Sequence, residues 1–194
     1  MKIEPVILDG EFVRLEPLCA EHVDELYEAG ADETLWLWTQ AINKNKTDMR
    51  RYVEAALDEF DRKVSLPFVT IEKSVGKIVG STRFGNIDQK SRRAEIGWTW
   101  INSDWQRTRV NTEAKFLMLR HAIETWRCIR VELKTDAPNE KSRSAIRRLG
   151  AVEEGILRQH MITDAGRFRD TVYYSILDSE WQTVKVNLRA KLVR

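Results

Sequence analysis

Three consecutive segments of strand-forming residues in the middle of the chain constrain its fold more than any other feature. Residues 68–71, 77–84 and 94–101 are rich in β-branched and aromatic side chains and are separated by turn signals. Such a series predicts three antiparallel strands that follow one another in one sheet. The apolar residues of that sheet need helices to cover them, so the rest of the chain has to supply those helices.

The strongest helical pattern lies just before these strands. From Met49 to Phe60 apolar residues recur at every third or fourth position, and Asp48 stands where an N-cap is expected. The other predicted elements are strands at 12–16 and 129–135, helices at 20–30, 114–126 and 139–150, a hairpin of 152–161 and 170–177 with its turn at 164–166, and a last helix that starts with a capping box of Ser179 and Gln182. Together they predict a single α+β domain over residues 1–194, a mixed sheet with helices on its faces.

Composition excludes several other classes of protein. The chain has 194 residues with 9 Gly and 4 Pro, too few for a collagen-like, linker-like or low-complexity disordered chain. Cys19 and Cys128 lie far apart without a metal-binding spacing, which argues against a disulfide framework and a structural zinc site. Residues 1–17 lack the basic start and apolar core of a signal peptide, and no apolar run approaches the ~18 residues of a membrane span. We therefore expect a cytoplasmic protein that does not enter a membrane.

The charged residues are divided unevenly along the chain. The formal net charge is only +2, but residues 1–63 hold 8 basic and 15 acidic side chains, and the remainder holds 24 basic and 15 acidic. An acidic front and a basic back could serve a cationic ligand on one part and an anionic ligand on another. A solvated surface whose charges happen to segregate explains the same counts.

The junction between the third strand of the meander and the next helix is the most informative place for chemistry. Residues 102–112 form a polar turn there, and the turn contains Arg107 and Arg109. A helix that starts directly after a strand presents unbonded backbone N–H groups and the positive end of its dipole. This arrangement favours a phosphate or pyrophosphate ligand, which the two arginines would reinforce. Many strand-to-helix turns bind nothing, so the pattern alone leaves both interpretations open.

Four motifs in a fixed order carry a family resemblance. They occupy residues 94–98, 105–115, 139–158 and 169–177. Together with the order of the elements they make the chain, from about residue 12 to residue 188, similar to the GNAT superfamily of N-acetyltransferases. Within that superfamily the chain resembles the RimJ/RimL-like branch, which acetylates protein N-termini and other primary amines.

The resemblance implies the GNAT fold, a mostly antiparallel sheet of about seven strands with helices on both faces, in which two parallel central strands, at 95–101 and 129–135, splay apart. Acetyl-CoA would lie in the resulting cleft as a co-substrate, without a metal. Its pyrophosphate would lie on the turn at 106–112, and its pantetheine arm would run along the first of the two strands. The cofactor-binding residues that the resemblance implies are Trp100, Ile101, Gln106, Arg107, Thr108, Arg109, Val110, Asn111, Thr112, Asn139 and Ser142.

The turn departs from the family pattern at one position. The family reads Q/R-x-x-G-x-G/A, and this chain has Arg109 where the first glycine is expected. A glycine lets the backbone approach phosphate closely, and a Cβ with a long side chain could obstruct that approach. An arginine can also bind phosphate directly, and a helical φ at this position does not require glycine.

The resemblance also implies the chemistry, in which a free amine attacks the thioester carbonyl directly. The reaction needs an acceptor for the amine proton and an acid for the leaving thiolate. Many family members carry the acid as a tyrosine seven residues after the asparagine, but Ile146 stands there in this chain. The RimL-type substitute is a serine three residues after the asparagine, which matches Ser142. Glu95 is the first candidate for the base.

Both catalytic candidates have a structural alternative. Ser142 would then be a first-turn helix hydroxyl that only satisfies backbone N–H groups. Glu95 would be a strand-end carboxylate paired with a neighbouring arginine, Arg93 or Arg83. Where a RimL-type enzyme carries a second possible base in the hairpin strand, this chain has Met161, and the adjacent His160 is expected to point to the opposite face.

The acceptor side is the least defined part of the predicted site. Asp32, Glu33 and the neighbouring tryptophans could attract and position a cationic amine, although burial is the more common fate of a tryptophan. The substrate-binding candidates are Trp36, Trp38, Arg83 and Trp98.

Two other functions are compatible with the sequence. One is a non-catalytic domain that binds CoA without transferring an acetyl group. The other is an RNA-binding or ribosome-binding module that uses the basic helix at 141–148, although no aromatic-basic RNA motif accompanies it and a solvated helix face or a contact with the CoA 3′-phosphate fits the pattern better. The sequence leaves open whether the acceptor is a ribosomal protein, a peptide or a small amine. The resemblance suggests a homodimer, and we expect the protein to bind neither DNA nor a membrane.

Overall fold

The computed structural model describes residues 1–39, 41 and 43–193, so Arg194, the expected end of the domain, lies outside the described part. The strands are β1 (Leu8–Asp9), β2 (Val13–Pro17), β3 (Leu66–Glu72), β4 (Lys77–Asp88), β5 (Arg93–Ile101), β6 (Arg130–Asp136), β7 (Val152–Ile162) and β8 (Phe168–Leu177). The helices are α1 (Val23–Ala29), α2 (Lys46–Asp61), α3 (Arg109–Arg120), α4 (Glu140–Leu149) and α5 (Trp181–Val193). The predicted α+β fold with a mixed sheet is confirmed.

The strands form one sheet in the order β1-β2-β3-β4-β5-β6-β8-β7. Strands β3, β4 and β5 are the predicted antiparallel meander. The described sheet has eight strands rather than about seven, because the two residues of β1 pair with β2. A strand of two residues is too short to leave an alternating pattern in the sequence.

The only parallel pair in the described sheet is β5 with β6, and it is short. The two strands are in register at three positions, from Arg93 opposite Arg130 to Glu95 opposite Glu132. Beyond Glu95 the pairing ends, although β5 continues to Ile101. The expected splay between two central parallel strands is therefore present.

Two separate cores cover the two faces of the sheet. The larger core joins the sheet to α3, α4 and α5, and its helical members include Met118, Ile146 and Leu188. The smaller core joins α1 and α2 to the opposite face through residues such as Leu26 and Met49. Within the described residues, none of the helices is long and apolar enough to span a membrane.

The predicted starts of α2 and α5 were wrong. The N-cap of α2 is Asn45, whose side chain accepts a hydrogen bond from the Asp48 N–H at 3.0 Å, so the helix begins about one turn before Asp48. That extra turn is polar and adds nothing to the apolar period. At α5 the predicted box of Ser179 and Gln182 is replaced by the Glu180 carboxylate, which accepts the Leu177 N–H at 2.9 Å.

Helix α4 is capped at both ends, close to its predicted bounds of 139–150. The Asn139 side chain accepts the Ser142 N–H at 3.0 Å and caps the N-terminus. Gly150 follows the last turn with a φ of 98°, a left-handed conformation that glycine adopts without strain. These caps fix the position of the first turn of α4, which faces the cleft described below.

Glu113 on α3 binds the backbone of the N-terminal segment where β2 begins. Its carboxylate is buried and accepts backbone N–H bonds from Glu11, Phe12 and Val13 at 2.7–2.8 Å. Gly10 makes room for this contact, since a Cβ there would lie 2.5 Å from the Glu113 carboxyl carbon. One side chain therefore satisfies three backbone donors that precede and begin β2.

Candidate active site

The splay between β5 and β6 opens into a cleft of about 1740 Å³. Its walls come from β5, β6, the first turns of α3 and α4, and the β7–β8 hairpin. The loop after α1 that holds Trp36 and Trp38 also lines it. Of the predicted cofactor-binding residues, those that line this cleft are Trp100, Ile101, Gln106, Arg107, Thr108, Asn111, Thr112, Asn139 and Ser142. The cleft thus extends from the predicted phosphate turn to the predicted acceptor side.

Two predicted cofactor residues turn their side chains elsewhere. The guanidinium of Arg109 lies over the Phe12 ring, 4.8 Å from its centroid, and Val110 is buried in the core at 2% exposure. Neither is among the described residues that line the cleft. Both lie in the first turn of α3, which starts earlier than the sequence pattern indicated.

The missing glycine does not distort the turn. Arg109 is the first residue of α3 and its φ is negative, so an L-residue fits there without strain. Its side chain points to Phe12, away from the cleft, so the expected obstruction does not arise. The left-handed residue of this turn is Arg107, with a φ of 62°. Thr108 caps the helix, since its hydroxyl accepts the Val110 N–H at 3.3 Å.

Cations from α4 gather at this end of the cleft. Lys141 donates to the side-chain oxygen of Gln106 at 3.2 Å, and Arg148 donates to the hydroxyl of Thr112 at 3.3 Å. Together with Arg107 they place positive charge beside the N-terminus of α3, where unbonded N–H groups and the helix dipole also favour an anion.

The remaining arginines of α4 are held in ion pairs. Arg143 contacts Glu140 and Glu153, and Arg147 contacts the same two carboxylates. The positive charges of Arg143 and Arg147 are therefore largely neutralised. This arrangement disfavours the RNA-binding alternative, because phosphate binding relies on unneutralised cations.

A bulge in β5 shapes the middle of the cleft. Gly97 pairs with Arg83 and Trp100 pairs with Ser81, so Trp98 and Thr99 together face a single residue of β4. Trp98 has a φ of 49°, a left-handed conformation that is uncommon for a large residue. The glycine at position 85 leaves space for the indole, since a Cβ there would lie 2.2 Å from the ring.

Glu95 lies at the last paired position of β5 and β6, at the base of the splay. It is buried at 7% exposure and lines the cleft. Its Oε2 atom contacts Lys134 at 2.8 Å and accepts a hydrogen bond from Asn86 at 2.6 Å. Burial acts to lower the pKa of Lys134, but the Glu95 carboxylate raises that pKa above its ordinary value.

The expected arginine partners of Glu95 were wrong. Arg93 is bound to Glu132 at 3.2 Å, and Arg83 is bound to Glu59 at 3.0 Å. Lys134 takes their place because the parallel register brings β6 beside Glu95. Both contacts of Glu95 involve one oxygen, so Oε1 is left facing the backbone near Gly97.

Asn139 and Ser142 line the cleft together at the start of α4. Because the Asn139 side chain caps the Ser142 N–H, capping of α4 does not depend on the serine hydroxyl. Ser142 is half-buried and lines the cleft. The local structure therefore leaves the hydroxyl available for chemistry.

The two tryptophans after α1 that were predicted on the acceptor side differ in burial. Trp36 is a core residue, which packs against Tyr52 and Trp100 and donates to the Gly30 carbonyl at 2.9 Å. Its expected burial is therefore observed, and only part of it reaches the cleft. Trp38 is less buried and stacks on Arg167 at 5.3 Å.

Arg83 forms the floor of the acceptor side with two rings. Its guanidinium lies 5.2 Å from the centroid of Tyr52 and 4.9 Å from that of Trp98, and the residue is 3% exposed. The Tyr52 hydroxyl in turn donates to the Trp98 carbonyl at 3.3 Å. Arg83 and Trp98 thus form one rigid stack under the cleft.

The expected attraction of a cationic amine by acidic residues of the first 63 positions is only partly supported. Asp32 caps its own short helical turn through Thr34, and neither Asp32 nor Glu33 lines the cleft as described. The acidic residues of the front segment that do line it are Asp48 and Glu59.

His160 and Met161 both line the cleft, contrary to the expectation that neighbouring strand residues face opposite sides. The register of β7 against β8 shifts between Leu157 and Met161, and Gln159 has a φ of 47°. This irregularity rotates the strand and brings the imidazole, which packs on Tyr173, to the same face as the methionine.

Sequence reasoning missed several cleft residues. They are Tyr52, Asn86, Lys115, Lys134, Arg148 and Arg169. Lys134 stood in a strictly alternating strand, so its face could be read, but its partner depends on the register of two strands far apart in sequence. Lys115 looked like a polar interruption of an apolar helix, and no local pattern marks it as a cleft residue.

Comparisons with known proteins agree with this geometry. Residues 13–152 match the family described as "Acetyltransferase (GNAT) domain". The chain belongs to this family, and it is an enzyme of the acetyltransferase class.

Individual relatives cover most of the chain. The Bacillus subtilis (strain 168) protein named "Putative ribosomal N-acetyltransferase YdaF" is 31% identical over 175 residues, which cover 88% of this chain and 92% of that protein. The crystal structure of a GCN5-related N-acetyltransferase from Brucella melitensis is 34% identical, with a TM-score of 0.91 over 97% of this chain and 86% of that one. Mycobacterium smegmatis RimJ in complex with CoA-disulfide has the same fold, with a TM-score of 0.80 at 23% identity over 96% of this chain and 92% of that one.

Proposed function

We propose that the protein transfers an acetyl group from acetyl-CoA to a primary amine by direct attack of the amine on the thioester. The observation that carries the proposal is one continuous cleft whose two ends offer different chemical groups. An anion-binding helix start lies at one end, and a buried carboxylate, Glu95, lies where the two parallel strands separate.

The residues of the cleft suit acetyl-CoA in three respects. The first turn of α3, with Arg107, Lys141 and Arg148 nearby, offers N–H groups and cations to a pyrophosphate. The edge of β5 beyond Glu95 has no partner in β6, so its backbone groups can pair with an amide-bearing arm. A RimJ protein whose structure contains CoA-disulfide shares the fold, which adds support from outside this chain.

In the proposed reaction each protein group has a defined task. Glu95 accepts the proton that the amine loses, directly or through water, and its Oε1 atom is the oxygen that Lys134 and Asn86 leave unoccupied. Ser142 donates its hydroxyl proton towards the leaving sulfur from the first turn of α4. The stack of Arg83 and Trp98 supports the acceptor side.

Binding of acetyl-CoA is the first expected result. Titration calorimetry of the wild-type protein should show heat on addition of acetyl-CoA, and CoA should compete for the same site. Arg148→Ala removes a cation beside the α3 N-terminus and should raise the Kd about tenfold. Arg147→Ala, on the same helix but held by Glu140 and Glu153, should leave the Kd unchanged. Absence of heat from the wild type would contradict the proposal.

Removal of the proposed acid should reduce turnover. Ser142→Ala is expected to lower kcat by at least about tenfold, because the leaving thiolate then departs without a proton donor. Release of free thiol from acetyl-CoA in the presence of a panel of amines measures this rate. Ser179→Ala, at the start of the exposed turn before α5, is the matched control. An unchanged kcat would remove Ser142 from the mechanism.

The same assay separates transfer from simple binding. If the wild type bound acetyl-CoA but released no thiol with any amine, the protein would be a CoA-binding domain without activity. The identity of the amine acceptor, the homodimer and the cytoplasmic location stay predictions. A ribosomal protein N-terminus is the first acceptor to test, since the name of YdaF points to the ribosome.

A further inference from the structure

One buried lysine in the cleft has no role in the reaction as proposed above. Lys115 lies on α3, is 5% exposed and lines the cleft. Its ammonium donates to the hydroxyl of Thr82 on β4 at 2.9 Å and to the hydroxyl of Thr99 on β5. Within the described part of the chain, no carboxylate lies at ion-pair distance from it.

A buried ammonium without a carboxylate is costly to the folded protein. Buried charges are ordinarily paired, and two neutral hydroxyls replace only part of the lost hydration. Burial alone lowers the pKa of Lys115 to about 7. At neutral pH the group is therefore divided between ammonium and amine, and among the described residues no carboxylate compensates the charge of the ammonium form.

The position of this group in the cleft is defined by its partners. Thr99 belongs to the bulge of β5, between Trp98 and Trp100, and Thr82 is the single residue that faces the bulge. The phosphate-binding turn lies beyond one end of this segment and Glu95 lies beyond the other. An arm that extends along β5 from the turn towards Glu95 runs past Thr99, whose hydroxyl accepts a hydrogen bond from the Lys115 ammonium.

We propose that Lys115 is a further catalytic residue, which donates a hydrogen bond to the carbonyl oxygen of the acetyl thioester and stabilises the negative charge that forms there. This inference rests on the proposed function. It explains why an unpaired lysine is retained in a buried position, because the charge that compensates it appears only during the reaction. Preorganised donors of this kind in a dry site are among the largest contributions to catalysis.

The step balances without a new reactant. As the amine nitrogen bonds to the carbonyl carbon, the electron pair of the C=O bond moves to oxygen, where Lys115 donates its hydrogen bond. The pair returns when the C–S bond breaks, the amine proton passes to Glu95, and the sulfur takes a proton from Ser142. Exchange with solvent water then removes the proton from Glu95 and returns one to Ser142, so both groups end as they began. Lys115 transfers no proton and is unchanged at the end.

The competing explanation is a structural one, in which Lys115 only ties α3 to β4 and β5. The two explanations predict opposite effects on stability. A tie that holds three elements together should destabilise the fold when it is removed. Replacement of a buried unpaired charge by an apolar side chain of similar length should leave stability unchanged or increase it.

The experiment compares Lys115→Met with the wild type, and uses Lys90→Met, an exposed lysine outside the cleft, as the control. Four quantities are measured: the Tm, the Kd for CoA by calorimetry, and kcat and KM by thiol release. We expect an equal or higher Tm, an unchanged Kd, and a kcat lowered by about 100-fold or more. Lys115→Arg, which keeps a cationic donor, should recover part of kcat.

Each other outcome overturns the inference. A variant that fails to fold, or whose Tm falls, shows that the lysine is structural. A variant that keeps the wild-type kcat shows that the ammonium does not act on the reacting carbonyl. If the wild type itself neither binds CoA nor releases thiol, the proposed function fails and the role of Lys115 fails with it, whereas an active wild type and an equally active variant remove only Lys115.

Discussion

Replacement of Glu95 by glutamine is expected to lower kcat by about 100-fold or more at neutral pH, because the amide keeps the shape of the carboxylate but cannot accept the amine proton. The loss should appear in kcat while the Kd for CoA stays unchanged, since Glu95 lies beyond the segment proposed to hold the cofactor. Thiol release under saturating amine and acetyl-CoA measures it.

Glu132→Gln provides a matched control for this prediction. Glu132 is the partner of Glu95 in the parallel register, is buried to the same degree and contacts the same lysine at 3.6 Å. It does not belong to the described lining of the cleft. If both variants lost kcat equally, the effect would come from the charge balance around Lys134 rather than from proton transfer, and Glu95 would lose its role as the base.

Replacement of Glu113 by alanine is expected to reduce the free energy of unfolding by about 3–5 kcal/mol. The change leaves three backbone N–H groups without their charge-assisted partner and opens a cavity beside Gly10. For a chain of this length that loss corresponds to a fall in Tm of roughly 10 °C. Chemical denaturation and calorimetry measure both quantities.

Glu11→Ala is the control, because it shortens an exposed side chain in the same segment and keeps the backbone donor. It should change the unfolding free energy by less than about 0.5 kcal/mol. A Glu113→Ala variant as stable as the wild type would show that water replaces the carboxylate at all three donors, and that the N-terminal segment does not depend on α3.

The fold could be predicted wherever the sequence repeats with the period of an element. The meander, strand β6 and the ends of α4 near Asn139 and Gly150 all left local patterns. The first turn of α2 and the two residues of β1 left none, because polar helical turns and very short strands have no apolar period. The bulge at Trp98 was also hidden, since tryptophan is not a residue that signals a left-handed conformation.

The site residues that could be predicted are likewise those marked by a local sequence pattern. Ser142 and Asn139 could be proposed because their spacing on one helix is local and matches a family motif. The contact of Glu95 with Lys134 depends on the register of two strands joined by a long crossover, and the burial of Lys115 depends on the packing of α3 over the bulge. The side chain of Arg109 was misplaced because one residue decides whether a position belongs to a turn or to the first turn of a helix.

The two cores described above have a consequence for how such an enzyme can change its substrate. The helical side of the phosphate turn belongs to the larger core with α3, whereas the aromatic wall of the acceptor side belongs to the smaller core with α1 and α2. Substitutions in separate clusters have nearly additive effects on stability. Mutations of the acceptor wall that spare the contact of Trp36 with Trp100 are therefore expected to change stability independently of mutations on the phosphate side. The proposed range of amines can then change over evolution while the proposed acetyl donor stays the same.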